Sequence, residues 1–128
     1  MEEKVMNLMR RGVITCSEET TLQEVAQIMV ANSIRYCVVT NQNNEVKGLI
    51  SARLMLKGYK KNLEQGRAKD ILMPYTITIT PNSSLKEAVG VMSQKRIEHL
   101  IVVSDRPGSK AILGLVHAED IISKMARD

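Results

Sequence analysis

The chain contains no tryptophan and no phenylalanine, and only three tyrosines among 128 residues. Its core must therefore be built from Val, Ile, Leu, Met and Ala, with methionine as adaptable filler. The same shortage leaves little for stacking nucleic-acid bases on aromatic rings. Cysteine is scarce too: Cys16 and Cys37 stand beside β-rich apolar segments without CxxC spacing. They read as reduced, half-buried side chains rather than a staple. No apolar run reaches the roughly 18 residues needed to cross a bilayer, and MEEKVMNLM lacks the basic start and apolar run of a signal peptide. A cytoplasmic protein without a membrane partner is expected. Cys16, Cys37, His99 and His117 show no metal-ligand spacing. Ser-His-Asp signatures and glycine-rich phosphate loops are also missing, so the reading is that of a non-enzyme.

The length is about that of one domain, and the ordinary apolar fraction can bury a core. A net charge of +4 arises from 18 basic and 14 acidic residues. Because the signs are interspersed, a solvated mixed surface explains most of this charge. A mild basic excess lies in LKGYKKNLEQGRAKD, where Lys57, Lys60, Lys61, Arg67 and Lys69 outnumber Glu64 and Asp70.

The chain repeats itself. TTLQEVAQIMVANSIRYCVVT at 20–40 falls on SSLKEAVGVMSQKRIEHLIVV at 83–103 after a shift of 63 residues. Leu22, Glu24, Met29, Ile34 and Val39 land on Leu85, Glu87, Met92, Ile97 and Val102. The match extends outward, from NLMRRGVITC to ILMPYTITIT and from KGLIS to LGLVH. Repeats at 1–60 and 68–128 with a connector at 61–67 account for the chain.

Each copy has a readable order. Thr21 with Glu24, and Ser84 with Glu87, fit the S/T-x-x-E capping box at a helix start. Leu22, Val25, Ala26 and Met29, like Leu85, Ala88, Val89 and Met92, follow a helical apolar stripe. YCVVT and HLIVV then suit strands covered on both faces. Turn residues and a further strand, GLIS or GLVH, lead to second helices at about 52–63 and 118–126. With VITC and TITIT as first strands, each copy is a β-α-β-β-α unit of an α/β (α+β) fold. Each is too small to cover both faces of its sheet alone, so the copies are expected to pack with pseudo-two-fold symmetry.

This pattern resembles a tandem pair of cystathionine beta-synthase (CBS) domains, known as a Bateman module. The resemblance rests on LM before the first strand, TLQEVAQIM and SLKEAVGVM on the first helix, strands ending in G-L-I/V, and EDII opening the last helix. It implies a regulatory module with two clefts between its repeats. Such modules bind adenosine compounds such as AMP, ADP, ATP or S-adenosylmethionine, without a required cofactor, and often form flat homodimers. A regulated partner would act in trans.

In nucleotide-binding relatives the last strand ends in G-h-h-[ST]-x-x-D, with h apolar. The carboxylate accepts hydrogen bonds from the ribose hydroxyls, while the hydroxyl residue and helix start face a phosphate. Asp120 occupies the ribose position in the second copy, and His117 replaces the hydroxyl residue. In the first copy Ser51 keeps the hydroxyl and Leu54 replaces the acid, removing about 1.5–3 kcal/mol of charged-acceptor binding. The Asp120 cleft is therefore the expected site. The resemblance places Ile14 near the adenine, Ile34 and Arg35 at one turn, and Glu98 and His99 at the other. Arg35 could pair with phosphate or stack on a base. The residues leave bland roles open: Asp120 as a helix cap, His117 and His99 as strand-end residues, Arg35 as a solvated charge. Two other functions stay in view, a dimerisation or protein-interaction module without a nucleotide, and a weak nucleic-acid binder through the basic connector.

Overall fold

Two hydroxyl side chains start the first long helix of each repeat in the computed structural model, which describes residues 2–74 and 77–128. Thr21 Oγ1 accepts the Glu24 N–H at 3.1 Å, and Glu24 Oε1 accepts the Thr21 N–H at 3.0 Å. Ser84 Oγ accepts the Glu87 N–H at 3.0 Å. Each cap satisfies a backbone donor that the first helical turn leaves without an intrahelical acceptor. Helix α1 (Leu22–Ala31) buries Leu22, Val25 and Met29, and helix α4 (Leu85–Lys95) buries Leu85, Ala88 and Met92. Both end alike, with Ser33 and Arg96 at positive φ. The Ile34 N–H then reaches Met29 O, and the Ile97 N–H reaches Met92 O, each at 3.0 Å. These 6→1 bonds satisfy carbonyls at the helix ends.

Strand β1 (Thr15–Ser17) runs parallel to β2 (Tyr36–Thr40), which pairs antiparallel with β3 (Val46–Ser51). The short β4 (Met73–Pro74) completes this sheet along β3. In the second sheet β5 (Thr78–Ile79) runs parallel to β6 (His99–Val103), which pairs antiparallel with β7 (Ile112–His117). Both hairpins shift register at the same repeat position, between Val39 and Thr40 and between Val102 and Val103. Thr76, the first residue of the segment TITIT, lies outside the described residues. The remaining helices are α2 (Ala52–Gly58), α3 (Ala68–Ile71) and α5 (Ala118–Arg127).

Two compact units result. One is the continuous segment Ile14–Thr76; the other joins Met1–Val13 to Ile77–Asp128. The first has a core of Leu22, Val25, Met29, Cys37, Val39, Ile50 and Ile71, among others. The second centres on Val5, Met9, Ala88, Met92, Leu100, Val102 and Val116. Residues such as Leu22, Ile50 and Leu100 are wholly buried, each contributing about 1.5–3 kcal/mol relative to an exposed side chain.

Cys16 and Cys37 are free thiols, and both are buried rather than half-buried. Their strands are neighbours, and the hydrogen bond from Cys16, followed by burial, pushes the Cys37 thiol well above its ordinary range. Helix α2 stops at Gly58, short of residue 63. Gly58 is buried, and a Cβ there would meet Leu22 Cδ1 at 3.2 Å and Ile71 Cδ1 at 3.3 Å. Beyond it Asn62 Oδ1 accepts the Glu64 and Gln65 N–H groups, turning the chain back toward α3.

Candidate functional site

The end of β7 passes directly into α5. His117 is the N-cap residue, in extended conformation. Its Nδ1 accepts the Glu119 N–H at 2.9 Å, and Asp120 Oδ2 accepts the His117 N–H at 3.2 Å. This is a reciprocal capping arrangement with an imidazole nitrogen doing the work of a serine hydroxyl. In the other repeat Ser51 Oγ caps the Leu54 N–H at 3.3 Å, and Leu54 packs partly buried against the core. The histidine therefore conserves the cap, while the acid-to-leucine change alters the chemistry beside it.

Asp120 has a second partner, absent from the residues that sequence reading singles out. Arg10 Nε donates to Asp120 Oδ2 at 2.9 Å and to Oδ1 at 3.1 Å. Its Nη2 lies 3.7 Å from Glu119 Oε2. Arg10 is carried there by the backbone: its N–H donates to Leu115 O at 2.8 Å, and its carbonyl accepts the Leu115 N–H at 2.9 Å. That bridge gives β7 the edge partner which β4 gives β3. Both approaches require glycine. A Cβ on Gly114 would lie 2.7 Å from Arg10 O, and one on Gly48 would lie 2.5 Å from Met73 O.

His99 and His117 are direct partners across β6 and β7, with ring centroids 4.5 Å apart and planes inclined at 72°. Burial, then the charges of His117 and Arg10, push the His99 pKa down to about 4. The ring is thus held neutral at physiological pH. Glu98 is exposed, and its carbonyl accepts the Ala118 N–H at 2.9 Å. The structure accordingly gathers His99, His117 and Asp120, with the Glu98 backbone, around one strand-to-helix junction. Ile14, Ile34 and Arg35 belong to the other unit. There Ile14 O accepts the Val38 N–H at 3.4 Å, Ile34 packs against the core, and the exposed Arg35 accepts the Ala52 N–H through its carbonyl at 2.9 Å.

The duplicated junctions, each a capped helix following a β-hairpin, find their counterpart in a known family. A model of the CBS domain matches residues 5–61 and again 68–127. The chain belongs to the CBS domain family. Over 116 residues this CBS pair is 34% identical to the uncharacterized protein MK0525 of Methanopyrus kandleri, covering 88% of the chain and 58% of that protein. It is 23% identical to a homoserine O-acetyltransferase of Methanosalsum zhilinae, covering 91% of the chain and 23% of the enzyme. The CBS pair thus spans less than two thirds of the length of either relative. Among solved structures it resembles the CBS domain pair of protein MJ0100 in complex with 5′-methylthioadenosine and S-adenosyl-L-methionine, with a TM-score of 0.88 and 20% identity. That match covers 99% of this chain and 98% of the other.

Part of the basic excess around the connector of this CBS pair is already paired. Lys69 Nζ lies 2.7 Å from Glu19 Oε1. Among the described residues no helix is long and apolar enough to cross a membrane.

Proposed function

We propose that this CBS pair is a non-catalytic regulatory module of the cytoplasm. It binds an adenosine compound, AMP, ADP, ATP or S-adenosylmethionine, and signals to a separate protein in trans. One observation carries the reading: the second copy presents a carboxylate, Asp120, at a helix start where the first copy has Leu54. A carboxylate there can accept from both hydroxyls of a ribose, and a leucine can accept from neither. The adenosine ligands of the similar MJ0100 pair support this ligand class. In the proposal Glu98, His99 and His117 complete the site around Asp120. Calorimetric titration with the four compounds tests it. At least one should bind, and Asp120→Ala should weaken that ligand about 10- to 100-fold, the worth of a charged hydrogen-bond acceptor. Undiminished binding to Asp120→Ala would refute the assignment of the anchor.

A homodimer belongs to the same reading. On α5, Ile122 is 62% exposed and Met125 is 69% exposed, three residues apart on one face. Burying that face against a second copy would remove it from water. Light scattering should report twice the mass of the chain, and a monomer at all concentrations would remove this part of the proposal.

A further inference from the structure

We infer that Arg10 is a built-in competitor for the ribose anchor, so that a ligand presenting a vicinal diol must displace it from Asp120. The inference rests on the proposed role of Asp120 and adds a residue that sets how tightly any such ligand is held. A carboxylate offers about four acceptor positions on its two oxygens. Three are taken: Arg10 Nε bridges both oxygens, and the His117 N–H uses Oδ2 again. The cap belongs to the helix start and stays. A diol that donates to both oxygens therefore meets the Arg10 guanidinium, itself a charge-assisted donor.

The internal duplication supports treating the two residues as one device. Where Arg10 pairs with Leu115 on β7, the uncharged Met73 pairs with Leu49 on β3, just as Leu54 stands where Asp120 does. One junction carries both charges, and the other carries neither. Arg10 is also no loose side chain swinging in by chance. Its backbone is bridged to Leu115 in both directions, and Gly114 leaves room for that approach. Its side chain is 40% exposed against 21% for Asp120, so the guanidinium is the more solvent-accessible member of the pair.

Adenosine is the suitable probe, because it carries the ribose diol without phosphate or other charge. Calorimetry should find that Arg10→Leu binds adenosine about 10-fold more tightly than the unaltered chain, and that Asp120→Ala binds it least. Salt offers a readout without mutation. Raising ionic strength screens a partly exposed ion pair but hardly affects a neutral ligand, so adenosine should bind the unaltered chain several-fold more tightly at high salt. If Arg10→Leu fails to fold, Arg10→Gln, which removes the charge and keeps an unbranched polar side chain ending at the Nε position, replaces it. Equal or weaker adenosine binding by the Arg10 variants, alongside clear Asp120-dependent binding by the unaltered chain, would overturn the competitor and leave the proposed function standing. If neither the unaltered chain nor the Arg10 variants bind any adenosine compound, both ideas fail together.

Discussion

Gly114→Val should destabilise the fold by about 3 kcal/mol, the upper end of what overpacking costs. A Cβ at this position would lie 2.7 Å from the Arg10 carbonyl oxygen and within 3.0 Å of Met9 Sδ and Cγ. The methionine can swing away. The carbonyl cannot, because it is backbone and is held by the Leu115 N–H at 2.9 Å. The segment must therefore lift from β7, breaking both hydrogen bonds to Leu115 and disturbing Val5 and Met9, which belong to the core of that unit. Gly90→Ala is the matched control. Gly90 is exposed within α4, and no atom lies within 4 Å of the position its Cβ would take. Relief of the helical glycine penalty should stabilise by about 0.5–1 kcal/mol. Urea unfolding at unchanged slope would read both changes as opposite shifts of the midpoint. A Gly114→Val midpoint equal to that of the unaltered chain would mean that residues 9 and 10 do not lie against β7.

That prediction concerns the feature which sequence reading reaches least well. The two copies, their order of elements and the caps at Thr21 and Ser84 are written in local periodicity and short spacings, and the structure reproduces them. Asp120 and His117 were legible because they interrupt an internal comparison, GLISARL against GLVHAED. Arg10 was not. It lies 110 residues from Asp120, and nothing in LMRRG distinguishes a charge that joins a site from one left in solvent. The contact depends on the N-terminal segment pairing with β7, a tertiary event without periodicity. The role of His117 was also underdetermined. A histidine in place of a hydroxyl raises the question of charge toward phosphate, and only the 2.9 Å contact to the Glu119 N–H identifies it as a cap.

His99 gives the fold an acid sensitivity of known sign. Its pKa stands near 4 in the folded chain, against an ordinary value of 6.5 that applies once the chain unfolds. Above 6.5 the ring is neutral in both states and contributes no pH dependence. Between 6.5 and about 4 the unfolded chain binds a proton that the folded chain refuses, so stability falls as pH falls. Below about 4 both states are protonated and the loss stops growing. At about 1.4 kcal/mol per pH unit, the window amounts to about 3 kcal/mol. The refusal has identifiable causes: the ring is half-buried at the start of β6, His117 faces it from β7, and Arg10 adds a positive charge from the N-terminal segment. His99→Leu removes the titrating group while keeping an apolar side chain on the strand. Carboxylates common to both chains cancel in the comparison. Chemical unfolding at pH 7 and pH 4 should therefore show the unaltered chain losing about 3 kcal/mol more than His99→Leu, with parallel behaviour at lower pH. Coincident pH profiles for the two chains would show that His99 titrates alike in the folded and unfolded states, and that its packing against His117 does not exclude the charge.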